Sequence, residues 1–396
     1  MTVLTANHYV TGEQWHLEMI EGQLNALNIT PPGEESAIWI APLLVDLQVN
    51  GLRGIDFLDP AIHLDQIQQV ARSIQRDGVA IALPTVTTQS ESRITTALRQ
   101  ITKARQACEE TAKIFPGIHL EGPYLSAEDG PRGAHPREHI RAPDWDEFSR
   151  FQEAADGDIR LLTLSPEYEN APDFIRRACQ SGVLVSIGHT AATGDQIRQA
   201  VDAGATLSTH LGNGAHGTLP RHPNYLWEQL AEDRLTAMVI ADGHHLPKDF
   251  LSCVASTKGA GRLVAVSDIT GMGGMPPGRY PNTSLGDVEV LNSGKLVVAG
   301  QRQYLAGAAR PLWTAIPHLL AATSLTLREA WDAASRNPGA LISHIPELVR
   351  HDRKLSAIIF SWNPNSATHD AVDSFRILHV LRQGKDLLAE TETEAD

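Results

Sequence analysis

The stretch VLVSIGHT, at residues 183–190, is a run of mostly apolar residues that leads to a histidine. A short apolar run of this kind predicts a buried β-strand. We therefore expect His189 to lie just beyond the carboxyl end of that strand. The residues at the ends of the other predicted strands decide which fold this stretch belongs to.

Seven further apolar runs have the same form, and helical periodicity or a long polar loop follows each of them. They are LLVDLQVNG (43–51), VAIALPTVTT (79–88), IFPGIHLEG (114–122), IRLLTLSPE (159–167), ATLSTHLGNG (205–214), LTAMVIADG (235–243) and RLVAVSDIT (262–270). The stretch TGDQIRQAVDAG predicts a helix between the N-cap Thr193 and the C-cap Gly204. Eight such strands over about 230 residues are typical of a parallel (β/α)₈ barrel. A doubly wound open sheet is the alternative.

Polar residues that bind metals or move protons end nearly every one of these runs. They are Gln48, Asn50, Glu121, Glu167, His189, His210, Asp242 and Asp268. In a barrel the carboxyl ends of all eight strands converge on one face, so distant residues become neighbours around one cavity. This placement favours the barrel over the open sheet.

The two ends of the chain have a different pattern. Residues 1–41 and the stretches KLSAIIFSWN and SFRILHVLRQGK alternate apolar and polar residues, which indicates β-hairpins. Domain termini often lie close together. We therefore expect residues 1–41 and 346–396 to form one small β-sandwich domain beside a catalytic barrel of residues 42–345.

Composition excludes several classes of function. The formal net charge of -14 argues against nucleic acid and anionic membranes as partners, because both require clustered Lys and Arg. The cysteines Cys108, Cys179 and Cys253 lie far apart, which indicates neither a disulfide framework nor a cysteine zinc site. No signal peptide or membrane span is evident, so we expect a cytoplasmic protein that acts on a small molecule.

Three of the residues at strand ends form a plausible metal site. A single histidine at a strand end is more often a hydrogen-bonding residue, but His189, His210 and Glu121 together make a set of two nitrogens and one carboxylate. Zinc and its first-row relatives take that set with one position open for water. We expect one divalent ion, Zn²⁺ first, with Fe²⁺, Co²⁺ or Mn²⁺ as alternatives.

Asp268 follows a buried strand, where a carboxylate must be hydrogen-bonded, paired or functional. Water activated by a metal needs a base, and an adjacent aspartate is the usual type. Asp268 is the candidate for that base. The alternative is that it caps the following loop.

Six motifs now carry a resemblance. HLEGPYLS, TLSPE, SIGHTAAT, THLGNG, ADGHH and VSDIT occur in the order seen in N-acetylglucosamine-6-phosphate deacetylases of the amidohydrolase superfamily. The resemblance covers most of the barrel. It implies a (β/α)₈ barrel with a small β-sandwich, a metal held by Glu121, His189 and His210, Asp268 as acid and base, and a homodimer. The implied reaction is hydrolysis of N-acetylglucosamine 6-phosphate to glucosamine 6-phosphate and acetate.

The first strand indicates how many metals to expect. Most amidohydrolases present an HxH pair there for a second metal, whereas this chain has Gln48 and Asn50. Amides are poor ligands beside imidazole. The pattern is similar to the members with a single metal and argues against the dihydroorotases and ureases.

The resemblance also implies substrate contacts. His135 is similar to the histidine that polarises the acetamide carbonyl, and Gly214 stands where the family often has alanine. Arg221 and His245 match residues on the phosphate side, although GTLPRHPNYLW around Arg221 differs from the family's glycine-rich context. The expected substrate-binding residues are Gln48, Asn50, Asn213, Gly214, Arg221, His245 and Leu305.

Two alternatives remain open at the level of the sequence. The nearer is the same chemistry on another N-acyl substrate: an unphosphorylated or differently configured acetamido sugar, or an N-acyl amino acid. The more distant is a barrel without catalysis that serves as a binding protein. A set of substrates separates the first from the main hypothesis, and metal analysis separates the second.

Overall fold

The N-terminal segment folds into strands of a mixed sheet. A computed structural model describes residues 1–33, 36–348, 354–363 and 372–389. The first strands are β1 (Thr2–His8), β2 (Gln14–Ile20), β3 (Gln23–Thr30) and β4 (Ile38–Ala41). Strand β1 pairs antiparallel with β2 and parallel with β4. Alternate side chains of β2 are buried, as the pattern of the sequence predicts.

The next strands build the main sheet and one small hairpin. They are β5 (Leu44–Val49), β6 (Gly51–Leu52), β7 (Ile55–Asp56), β8 (Val79–Thr87), β9 (Ile118–Glu121), β10 (Ile159–Leu164), β11 (Leu184–Ile187), β12 (Leu207–Ser208), β13 (Thr236–Val239) and β14 (Leu263–Ala265). Strand β5 and strands β8 to β14 form one parallel sheet of eight strands in chain order. A bridge between Val49 and Ile269 joins its two edges. The expected (β/α)₈ barrel is confirmed.

Helices cover the outside of the barrel. They are α1 (Leu64–Arg76), α2 (Glu91–Ala107), α3 (Glu109–Ile114), α4 (Trp145–Ala154), α5 (Ala171–Gln180), α6 (Gly194–Ala203), α7 (Tyr225–Ala231), α8 (Lys248–Lys258), α9 (Ala315–Ala322), α10 (Leu327–Asp332) and α11 (Arg336–Leu341). Helix α6 begins after Thr193, whose hydroxyl accepts from the Gln196 amide, and it ends at Gly204 with φ +121°. Both ends lie where the sequence predicts them.

An inserted antiparallel sheet follows the last barrel strand. Its strands are β15 (Gly278–Thr283), β16 (Gly286–Val290), β17 (Leu296–Val298) and β18 (Gln301–Gly307). The sequence analysis assigned these residues to the barrel domain and did not identify the sheet. The sequence of the turn between β16 and β17, where Leu291 N donates to Lys295 O, is the feature that could have indicated this sheet.

The C-terminal strands return to the N-terminal sheet. They are β19 (Ala357–Ser361), β20 (Arg376–Arg382) and β21 (Lys385–Asp386). The seven strands close on themselves in the order β1, β2, β3, β21, β20, β19, β4, so the two layers of the expected sandwich join at their edges. Trp15, Leu17 and Ile359 are fully buried inside this small domain.

The limits of the two domains stay a prediction. Residues 34–35, 349–353, 364–371 and 390–396 of the expected small domain lie outside the described residues. Within the described part of the chain, none of the helices combines the length and the apolar character that crossing a membrane requires.

Candidate active site

Three side chains from strands β9, β11 and β12 converge at the carboxyl face of the barrel. Glu121 is the last residue of β9, His189 lies two residues beyond β11, and His210 lies two residues beyond β12. The Nε2 atoms of the two histidines are 3.0 Å apart, and they lie 3.2 and 3.1 Å from Glu121 Oε1. All three residues are buried.

This set of atoms fits a divalent cation. Nδ1 of His189 lies 2.8 Å from the carbonyl oxygen of Pro131, so Nδ1 carries the ring proton and Nε2 presents its lone pair. Three electron-rich atoms facing one another within 4.8 Å repel unless a positive charge lies between them. Among the described residues, Glu121, His189 and His210 are the group that could hold a metal ion.

The backbone at this face is strained. His189, His210 and Asp268 have φ values of +48°, +27° and +50°, in the left-handed region that residues other than glycine rarely adopt. Each departure costs about 1–2 kcal/mol. Each lies two or three residues beyond the end of a barrel strand and lines the central cavity. Strain of this kind concentrates at functional sites.

Asp268 is held by two amides from the first strand. Its Oδ1 accepts from Gln48 Nε2 at 2.9 Å and from Asn50 Nδ2 at 2.8 Å. Gln48 Nε2 also donates to Glu121 Oε1 at 3.0 Å. Oδ2 of Asp268 accepts no hydrogen bond from the described residues. Burial, with a smaller effect of the Glu121 charge, raises the pKa of Asp268 to about 6.

His135 lies beside the three converging residues. Its Nε2 is 3.2 Å from His189 Nε2, and its Nδ1 is 2.9 Å from the hydroxyl of Thr88. Burial of the ring is the main cause that lowers the pKa of His135 to about 3. The ring is therefore neutral at physiological pH. The sequence analysis did not single out Thr88, although it ends the apolar run 79–88.

Comparison with known proteins places this site in a family. No family model matches the chain. An N-acetylgalactosamine-6-phosphate deacetylase of Escherichia coli O157:H7 is 33% identical over 347 residues, which cover 86% of this chain and 89% of the relative. An N-acetylglucosamine-6-phosphate deacetylase of Bos taurus is 33% identical over 312 residues, 76% of this chain and 74% of the relative. The chain belongs to the N-acetylglucosamine-6-phosphate deacetylase family.

A solved structure of the family supports the same conclusion. The N-acetyl-D-glucosamine-6-phosphate deacetylase of Mycobacterium smegmatis, a mutant in complex with N-acetyl-D-glucosamine-6-phosphate, superposes with a TM-score of 0.79 at 26% identity. The match covers 98% of this chain and 99% of that chain. This chain is thus a metal-dependent hydrolase of the amidohydrolase superfamily.

Most of the expected site residues line one cavity of about 380 Å³. They are Asn50, Glu121, His135, His189, His210, Asn213, Gly214, His245, Asp268 and Leu305. Gln48 is fully buried and does not line the cavity, and Arg221 lies on an exposed loop away from the cavity wall. A phosphate contact of Arg221 and the individual roles of the other residues stay predictions.

Two other residues at strand ends have structural contacts. Glu167 Oε2 accepts from the Ser165 hydroxyl and the Ala191 amide, and Glu167 does not line the cavity. Asp242 pairs with Nδ1 of His245 at 2.8 Å, which orients that ring along the cavity wall. The expectation that all the polar strand ends surround the cavity therefore holds for some of them only.

The cavity also contains residues that the sequence patterns do not identify. They are Asp56, Leu58, Thr88, Gln89, Arg93, Ser284 and Leu285. Most lie in loops after β5 and β8 or in the turn between β15 and β16, where no periodic pattern identifies them.

Proposed function

We propose that the protein removes the acetyl group of an N-acetylated amino sugar 6-phosphate, with N-acetylglucosamine 6-phosphate as the first candidate. The products are acetate and the amino sugar phosphate. The observation that carries this proposal is the convergence of Glu121, His189, His210 and Asp268 in one cavity of a chain from this family.

One divalent ion, Zn²⁺ first, would be held by Glu121, His189 and His210. The chemistry that such an ion supplies is Lewis acidity, which makes water a nucleophile at neutral pH and polarises a carbonyl oxygen. Gln48 and Asn50 offer amides where a second metal would need imidazoles, and both amides are engaged with Asp268. This supports a site for a single ion.

Asp268 acts as base and then as acid. Its Oδ2 is open to the cavity, so this oxygen accepts the proton of the attacking water while the water oxygen bonds to the acetamide carbon. The two amides on Oδ1 keep the carboxylate in position. Oδ2 then returns the proton to the sugar nitrogen as the C–N bond breaks, which releases a neutral amine and acetic acid that ionises to acetate.

His135 polarises the carbonyl oxygen of the acetamide. This role requires the tautomer with its proton on Nε2, in which Nδ1 accepts from the Thr88 hydroxyl 2.9 Å away. Nε2 points toward the three convergent residues, where it can donate to the oxygen that becomes negative in the transition state.

The configuration of the sugar is the finer question. The relative from Escherichia coli O157:H7 is a deacetylase of N-acetylgalactosamine 6-phosphate, the epimer at C4. It is 33% identical to this chain, and the match covers 89% of its own length. This makes the galacto substrate the second candidate. A homodimer and a cytoplasmic location also remain predictions.

Acetate release tests the proposal. The purified protein is supplied with Zn²⁺ and assayed with both acetamido sugar 6-phosphates and with both free sugars, before and after treatment with a chelator. We expect turnover of a phosphorylated sugar that a chelator abolishes and Zn²⁺ restores. Absence of acetate from all four substrates with the metal-loaded protein would contradict the proposal, and turnover of free sugars alone would contradict the 6-phosphate.

A further inference from the structure

One buried histidine close to the proposed metal ligands has no part in the chemistry described above. His119 lies two residues before Glu121 on β9, so both side chains point into the barrel. Its Nδ1 is 3.1 Å from Leu47 O on β5, and its Nε2 is 2.8 Å from the Thr163 hydroxyl on β10. Both ring nitrogens are therefore engaged inside the barrel, and neither is free for a metal ion.

These contacts belong to a chain of hydrogen bonds that runs in one direction. A carbonyl oxygen only accepts, so His119 Nδ1 carries the proton that it donates to Leu47 O. The ring is fully buried and hydrogen-bonds to no carboxylate among the described residues, so it is neutral and Nε2 accepts from Thr163. Thr163 has then used its one hydrogen, so it accepts from the Thr209 hydroxyl at 2.7 Å. By the same reasoning Thr209 accepts from the Ser186 hydroxyl at 2.6 Å. We call the side chains of His119, Thr163, Thr209 and Ser186 the polar chain.

The polar chain passes beside two of the proposed metal ligands. Its members lie on β9, β10 and β11, except Thr209, which directly follows β12. Thr163 is paired in register with Glu121 on the neighbouring strand. Thr209 directly precedes His210. A shift of either threonine would therefore move a ligand.

The third ligand packs on the same two threonines through its neighbour. A Cβ atom on Gly188, the residue before His189, would lie 2.8 Å from Thr163 Cγ2 and 2.7 Å from Thr209 Cβ. Contacts this close leave no room for a side chain other than hydrogen. All three ligands thus adjoin the polar chain.

His210 is the ligand that depends most on this chain. His189 Nδ1 is fixed by Pro131 O, whereas no described residue accepts from the buried Nδ1 of His210. A metal-ligating histidine is normally oriented by such a partner. His210 also has φ +27°, and strained backbone of this kind persists only where its surroundings hold it. The neighbouring Thr209 supplies two side-chain hydrogen bonds at this point.

We propose that Thr209 and Thr163 are positioning residues, which fix the His210 ring through the polar chain and so set the affinity and the coordination geometry of the metal site. This inference rests on the proposed function. Thr209 holds the backbone before His210, and Thr163 connects Thr209 to His119 and the first strand of the barrel. Neither threonine lines the substrate cavity, so neither is a catalytic residue.

Replacing Thr163 by valine tests the proposal. Valine keeps the shape of the side chain, but it leaves the Thr209 hydroxyl without its acceptor and His119 Nε2 without its donor. We expect Thr163→Val to weaken Zn²⁺ binding roughly 10- to 100-fold, as measured by competition with a chromogenic chelator. The visible absorption bands of the Co²⁺-loaded protein should also shift, because they report the geometry of the ligands.

Three further variants separate positioning from general stability. Thr163→Ser retains the hydroxyl and should restore the affinity and the spectrum of wild type. Thr102→Val removes a buried hydroxyl on α2 that donates to Ala154 O, so it should lower thermal stability and change neither metal measurement. Ser186→Ala removes the donor at the end of the polar chain and leaves Thr209 bonded to Thr163. It should change both metal measurements in the same direction as Thr163→Val, but less.

Wild-type zinc affinity and an unchanged Co²⁺ spectrum in Thr163→Val would overturn the proposal. Equal changes in Thr102→Val would also overturn it, since they would follow from lost stability alone. If Thr163→Val does not fold, Ser186→Ala decides the question: weaker zinc binding with a shifted spectrum supports the proposal, and wild-type values overturn it. If wild type itself binds neither ion, the proposed function is wrong and this inference with it, whereas a metal-binding wild type that Thr163→Val matches refutes the inference alone.

Discussion

Replacing Gly214 by alanine tests how tightly the ring of His189, one of the three proposed metal ligands, is held. Gly214 has φ +57°, and a Cβ atom there would lie 2.7 Å from His189 Nδ1 and 3.2 Å from Pro131 O. These two atoms form the hydrogen bond that orients the ring. The new methyl group would therefore clash with both atoms of this hydrogen bond and displace the ring. The left-handed backbone of residue 214 would also disfavour alanine.

The expected magnitude follows from three effects. The left-handed backbone costs alanine about 1–2 kcal/mol relative to glycine. Loss of the bond between His189 and Pro131 costs about 1 kcal/mol more. Losing the partner that orients a metal-ligating histidine weakens metal binding roughly 10- to 100-fold. We therefore expect Gly214→Ala to lower thermal stability and to raise the Zn²⁺ dissociation constant by that factor.

Zinc titration against a chromogenic chelator measures the affinity, and two control variants separate the causes. Gly157 has φ +79° with no atom within 4 Å of a new Cβ, so Gly157→Ala carries the backbone cost alone. Gly217, in the same loop as Gly214, also has free space around a new Cβ and no positive φ. Gly157→Ala should lose stability with normal zinc affinity, and Gly217→Ala should change neither.

Wild-type zinc affinity in Gly214→Ala would refute the reasoning. It would mean that the loop moves away at little cost and that the contact between His189 and Pro131 does not control the ring.

Three further predictions concern groups in and below the site. Asp268→Asn should lower kcat roughly 10²- to 10⁴-fold with metal content unchanged, because the three proposed ligands remain; near-normal turnover would exclude Asp268 as the base. His210→Ala should lose the ion on gel filtration, and elemental analysis showing one tightly bound ion per chain would contradict its role. Burial raises the pKa of Asp46 from 3.8 to about 7, so the folded protein loses stability relative to the unfolded chain as pH rises from about 4 to 7. Asp46→Asn should therefore be more stable than wild type by up to about 4 kcal/mol at pH 8 and similar below pH 4, as measured by urea unfolding of chelator-treated protein.

The sequence predicts those site residues that directly follow an apolar strand run. A residue such as Glu121, His189 or His210 follows a buried run, and the closure of the barrel then brings the ends together without further information. The same rule predicts that Gln48 and Asn50 lie near Asp268. It does not predict which way an amide points, so their hydrogen bonds to Asp268 became visible only with side-chain positions.

The parts that the sequence does not predict depend on loops. Arg93 reaches the cavity because its Nε binds Leu58 O, a contact between two segments with no shared pattern. The sheet β15 to β18 contains turns that the sequence could have indicated. It was missed because the whole region was assigned to the barrel domain. Arg221 lies on an exposed loop and does not line the cavity, so the contact that its spacing from His210 suggests stays a prediction.

The closed sheet of the small domain has a consequence for synthesis of the protein. Strand β4 pairs with β1 on one side and with β19 on the other, and β3 pairs with β21. A ribosome therefore delivers β3 and β4 long before the strands that cover their edges, and the complete barrel is made in between. During that interval the nascent chain exposes open strand edges, which are templates for aggregation. We therefore expect chaperones that bind nascent chains to reduce aggregation of this domain in particular. A chain that terminates before β19 should fold its barrel but keep an N-terminal sheet with open, aggregation-prone edges.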